Sequence, residues 1–151
     1  MNYPSAHVDV SPSESAADDG SMLALLQAAR SVQEQLETTL DSVGLSPAKY
    51  QALDALVRAG QPLALSELAG CLNCVRSNIT QLADRLESDG LVKRVDDASD
   101  RRAIRAVVTP LGVERHAAGA RVMRDLQASL SARVAPSDRT AFLRVLSALR
   151  C

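Results

Sequence analysis

The chain has 151 residues, 46% hydrophobic content and a formal net charge of −1, enough for one ordinary domain with its own core and without a global basic signature. One Phe, two Tyr and no Trp leave Leu, Val and Ala to build that core, which favours a mostly α fold. No apolar run approaches the ~20 residues that span a bilayer, no basic start leads into an apolar stretch, and three unevenly spaced cysteines make no disulfide framework. A cytoplasmic protein without membrane contact is expected.

Residues 1–20 are rich in Ser, Ala, Asp and Pro and read as a flexible arm. A helix is expected from Ser21, where Met22, Leu25, Leu26, Ala29, Val32, Leu36, Leu40 and Val43 recur as one stripe. So long an apolar face exceeds what a small core covers, and part of it should pack elsewhere. Ser46 followed by Pro47 opens the next helix with a cap and a first-turn proline, and Gly60 closes it. Tyr50, Leu53, Leu56 and Val57 form its inner face, and residues 62–64 suit a minor first strand.

Within residues 66–72, Leu68, Ala69 and Leu72 make a buried edge, with Ser66 and Glu67 at the start. A turn falls at Asn73, a residue type that tolerates left-handed backbone. Over residues 75–88 the stripe Ile79, Leu82, Ala83 and Leu86 leaves Arg76, Ser77, Asn78, Thr80, Gln81 and Arg85 off the apolar face. Arg, Asn and Gln pair bidentately with guanine or adenine edges, so this helix suits a major groove. An ordinary amphipathic surface helix has the same stripe; the neighbouring elements separate the two readings. Gly90 follows at the position of a helix stop. Residues 91–95 and 104–109 read as paired strands, and the eight residues between them, with Arg101 and Arg102 among three acids, are too many for a tight turn and form a projecting wing. The expected fold is therefore mostly α with a small β hairpin, a winged helix-turn-helix. From Arg76 to Arg105 there are seven Arg or Lys against six Asp or Glu, so any electrostatic footprint on nucleic acid must be local.

Thr109 and Pro110 start another helix, running through Val113, Ala117, Val122, Leu126 and Leu130 to about Ala132. Pro136 should begin the last, with Phe142, Leu143, Leu146 and Leu149 on its apolar side and only Ala135 as cap. For catalysis, His7 and His116 have no Ser, Cys or carboxylate at triad spacing and no glycine-rich phosphate loop is present, so no enzyme is expected. Cys71 and Cys74 form a C-x-x-C, but zinc wants four ligands, so neither metal nor cofactor is expected. The two thiols are read as a redox switch beside the second helix, the other reading being that Cys74 points into the core, where a thiol is inert.

The run LESDGLVKRVDDASDRRAIRAVVTPLG, residues 86–112, resembles the recognition-helix end, wing and following helix start of the MarR (multiple antibiotic resistance regulator) family of bacterial transcription factors. Asp100-Arg101-Arg102 in the wing, Thr109 and Gly112 after it, and Asp84-Arg85-Leu86-Glu87 ahead of Gly90-Leu91 carry the resemblance. The similarity of arrangement covers about residues 20–150. Val75 stands where the family often has a capping Ser, Thr or Asp, and Cys74 where it usually has an aliphatic residue. The resemblance implies a homodimer on double-stranded DNA, with recognition helices in the major groove and wing arginines in the minor groove. One of Arg101 and Arg102 would reach DNA while the other, with Asp100, holds the loop. Residues 21–44 and 110–151 would be the helical dimerisation region around a DNA-binding domain at 45–109. Such a protein is usually a repressor, released from a pseudo-palindromic operator by a small-molecule effector or by oxidation. Tyr50, His116 and Arg121 are the larger polar groups near the junction where an effector pocket would lie. The other reading is a winged-helix protein-interaction module without DNA binding, which the near-neutral charge permits.

Overall fold

The computed structural model describes residues 18–72, 76–97 and 104–149. The described elements run α1 (Asp18–Asp41), α2 (Pro47–Ala59), β1 (Leu63–Ala64), α3 (Leu65–Cys71), α4 (Arg76–Ser88), β2 (Val92–Asp96), β3 (Ile104–Val108), α5 (Pro110–Ala132) and α6 (Arg139–Ala148). The expected turn at Asn73, together with Cys74, Val75, Asp100, Arg101, Arg102 and most of the N-terminal arm, lies outside the described residues. Two units are distinguished, residues 1–34 and 35–151, with the boundary inside α1. In the first unit Met22, Leu23, Leu26 and Val32 are exposed.

The core lies in the second unit. Leu40, Leu45, Leu53, Leu56, Leu68, Ile79, Leu86 and Val92 are its fully buried large side chains, so α2, α3 and α4 converge with the sheet and the end of α1 on one centre. Local chemistry delimits each element. Ser46 Oγ accepts the Lys49 N–H at 3.3 Å ahead of Pro47, and the Gly60 N–H donates to Leu56 O at 3.2 Å to end α2. The side chain of Ala64 offers no acceptor at the start of α3. Glu67 compensates by reaching back, its Oε2 accepting the Ala64 N–H at 2.7 Å. At the end of α4, Gly90 takes φ 71°, and Leu91 N–H donates to Leu86 O while Gly90 N–H donates to Glu87 O, both at 2.9 Å. This double closure turns the chain directly into β2.

The sheet is antiparallel in the order β1-β3-β2. Ala106 of β3 is flanked by Leu63 and Arg94, so the short strand expected at residues 62–64 forms and widens the hairpin to three strands. Thr109 then joins wing to helix: its Oγ1 accepts the Gly112 N–H at 3.0 Å and donates to Gly90 O at 2.7 Å. The last helix departs from expectation, beginning at Arg139 instead of Pro136. Asp138 N–H donates to Ala135 O at 2.9 Å, because without a capping side chain at residue 135 the proline opens a turn before the helix can start. Among the described residues α6 buries none of its side chains, and Phe142, Leu143, Val145 and Leu149 are all about half exposed or more.

Candidate nucleic-acid interface

At 100° per residue, α4 divides into three stripes roughly 120° apart. Ile79, Leu82, Ala83 and Leu86 face the core. Asn78, Gln81 and Arg85 are exposed and, among the described residues, make no side-chain hydrogen bond or ion pair. Thr80, Asp84 and Glu87 share the remaining stripe, which meets β2 through Arg94. The stripe of Asn78, Gln81 and Arg85 offers amide donors, amide acceptors and a guanidinium fork on a firmly seated helix, the set that base edges require. Arg76 and Ser77 open the same helix, although their side chains lie outside the described residues. Thr80 is exposed, and its carbonyl accepts from Arg94 Nη2 at 3.3 Å.

Two arginines that sequence reasoning did not single out organise the surroundings. Arg94 Nη2 also donates to an Asp84 carboxylate oxygen, and the Arg94 N–H donates to Glu87 Oε1 at 3.1 Å. Its Nε stands 3.5 Å from Glu87 Oε2, an ion pair without a hydrogen bond. Arg105 lies opposite, at the base of the wing. Its Nε donates to Asp97 Oδ2 at 2.5 Å, its Nη1 donates to Pro62 O at 3.1 Å, and Nη1 is 3.5 Å from Glu67 Oε2. The hydrogen bond to Asp97 raises the Arg105 pKa above its ordinary value, against a smaller desolvation effect, and the charges of Asp97 and Glu67 add to it. Both guanidiniums are thus occupied within the protein. The signal for Arg94 was present in the strand alternation: it shares a face with Val92, which is buried.

The structure brings Tyr50 and His116 together, stacked with ring centroids 5.5 Å apart and planes 10° from parallel. His116 Nε2 is 3.0 Å from Asp54 Oδ1, and Asp54 Oδ2 is 2.8 Å from Arg58 Nε. Arg121 is not part of that group; it is exposed and lines a separate shallow hollow with Val43, Glu114, Arg115 and Ala118. Cys71 is exposed at the end of α3, beside an open hollow that includes Asp54, Arg58 and Leu63. Among the described residues no cluster of His, Cys, Asp or Glu has metal-holding geometry, and no helix is long and apolar enough to cross a membrane.

Residues 43–103 match the model of the MarR family. The HTH-type transcriptional regulator PrsX of Escherichia coli is 34% identical over 89 residues, 58% of this chain and 54% of its own, so the chain spans about half the length of that relative. A putative transcriptional regulatory protein for the hcr operon of Thauera aromatica is 30% identical over 131 residues, 86% of this chain and 74% of that protein. Among solved structures, a mutant of E. coli MarR complexed with operator DNA aligns with a TM-score of 0.74 at 18% identity, covering 93% of this chain and 100% of that one. At that identity the likeness is one of fold.

Proposed function

The chain belongs to the MarR family, and from that premise we propose that it is a sequence-specific regulator of transcription that binds DNA as a homodimer. The observation that carries this reading is the stripe of Asn78, Gln81 and Arg85, solvent-facing on the second helix of a helix-turn-helix and held beside a wing. Arg76, Ser77 and Thr80 extend that surface, and Arg101 and Arg102 are assigned to the minor groove. The fold shared with a MarR crystallised on operator DNA supports the same placement. The net charge of −1 is compatible with it because the acids of the reading helix itself, Asp84 and Glu87, are paired with Arg94.

Residues 45–109 serve as the DNA-binding domain, and 21–44 with 110–151 as the dimerisation region. The exposed apolar residues of α6 support this division, and so, taken by themselves, do those of α1, since apolar surface of that kind calls for a partner. A two-fold dimer sets its recognition helices about one turn of DNA apart, roughly 34 Å, and so selects a pseudo-palindrome. Repression is released when a small molecule engages the Tyr50 and His116 pair, or the Arg121 hollow, and changes that spacing. The pair supports this role because it joins α2 of the reading domain to α5 of the dimerisation region. Oxidation at Cys71 and Cys74 is the second route of release.

The test is a titration of a duplex, selected by the protein from a random pool, at several salt concentrations. Phosphate binding makes log K fall linearly with log salt, with a slope of about −0.9 for each phosphate neutralised. A flat response, or no duplex selected at all, would favour the protein-interaction module.

A further inference from the structure

Arg94 of β2 grips α4 at three positions. Strand alternation puts it on the inner face with Val92, where a guanidinium is stable only when paired. Its partners Thr80, Asp84 and Glu87 recur at steps of four and three along a single stripe of the helix. Contacts spread over two turns resist both sliding of α4 along the strand and rolling about its own axis. Rolling matters most, because Asn78, Gln81 and Arg85 occupy a neighbouring stripe and turn with the helix.

We propose that Arg94 is a positioning residue for DNA recognition, locking the base-reading stripe of α4 to the wing strand and offsetting the charge of the Asp84 and Glu87 carboxylates. This rests on the DNA-binding reading given above. Arg94 need not touch the duplex for either role: its side chain is 23% exposed, and Nε and Nη2 are both turned to the helix. Its loss would loosen the angle between two elements that must reach adjacent grooves together. It would also leave two negative charges unpaired beside a polyanion, and like charge across an interface weakens association.

The experiment is Arg94→Met, which preserves the reach of the side chain and removes its charge and fork. The expected result is a roughly tenfold or greater loss of affinity for the wild-type-selected duplex, with discrimination among single-base variants of that duplex reduced. The slope of log K against log salt stays at its wild-type value, because every phosphate-binding side chain is still in place. Neutralising the exposed acids, as Asp84→Asn with Glu87→Gln in the Arg94→Met background, restores part of the affinity but not the discrimination. Melting curves check folding. If Arg94→Met does not fold, Arg94→Lys, which retains charge without the fork, should keep the wild-type slope and lose part of the discrimination. Affinity and discrimination within twofold of wild type overturn the proposal, and so does a slope reduced by about 1, the mark of a cation that had been neutralising a phosphate directly. A wild-type protein that binds no duplex in a salt-dependent way overturns the regulator reading itself. Normal wild-type binding with an unaffected Arg94 variant overturns only the positioning role.

Discussion

Gly112→Ala should destabilise the protein out of proportion to its size. Gly112 is in the first turn of α5, where a β-carbon would overlap the Leu91 carbonyl oxygen and lie 2.8 Å from Val108 Cγ2. That carbonyl cannot swing away without cost, because it accepts the Thr109 N–H at 3.0 Å. Relief requires α5 to lift from the joint between α4 and the wing. Overpacking of a rigid site costs about 1–3 kcal/mol, a disturbed buried hydrogen bond about 1 kcal/mol more, and the better helix propensity of Ala returns at most ~1 kcal/mol. A net loss of roughly 1–3 kcal/mol should lower the melting temperature by about 2–12 °C for a chain of this size. Gly119→Ala is the internal control. Its β-carbon would stand 2.8 Å from Tyr50 Cδ2 and 3.0 Å from Leu45 Cδ1, but these are side chains, which give more readily than the Leu91 backbone, so the loss should be smaller than at Gly112. Thermal melts followed by circular dichroism, at one fixed protein concentration because a dimer is proposed, give the comparison. A Gly112→Ala protein melting within 1 °C of wild type, or a Gly119→Ala protein that is the less stable of the two, would refute the reasoning.

Replacing both Arg101 and Arg102 by Ala should weaken binding to all duplexes alike and reduce the salt slope by about 1 for each arginine that had neutralised a phosphate, measured by fluorescence anisotropy. Leu143→Asp on the exposed face of α6 should shift the protein toward monomer in light scattering and abolish tight binding to the full palindrome while the helical circular dichroism persists. Arg105→Met removes the ties to Asp97, Pro62 and Glu67 and should speed protease nicking between residues 97 and 103. The raised pKa of Arg105 adds a pH expectation. Its contribution is fully present below the unfolded value and lost only as pH rises through the still higher folded value, so Arg105 itself should give the nicking rate no pH dependence between about 6 and 9.

The elements that formed where the sequence placed them are those with self-contained local signals. Ser46 before Pro47, Thr109 before Pro110 and Gly90 after an apolar stripe each satisfy their own backbone groups, so tertiary context has little to override. Pro136 misled because a proline marks a turn as readily as a first helical residue, and Ala135 could not decide between them. The exposed stripe of α4 was readable from the 3.6-residue period once Ile79, Leu82, Ala83 and Leu86 were assigned inward. The inward side of Arg94 was readable from strand alternation, but what Arg94 and Arg105 bind was hidden for a different reason. Their partners lie from 7 to 43 residues away in the chain, and only the strand register brings a charge in β2 over α4 and a charge in β3 over the start of α3. The same holds for the stack of Tyr50 on His116, which joins α2 to α5 across the rest of the reading domain in sequence.

The most direct measurement of the central claim is competition binding of wild type, Asn78→Ala and Gln81→Ala against every single-base variant of the selected duplex. If the exposed stripe of α4 reads base edges, each substitution should erase preference at one or two symmetry-related positions, worth about 1–3 kcal/mol per base pair read, while the salt slope stays unchanged. Preferences identical to wild type in both variants would mean that this face of the helix does not read the sequence.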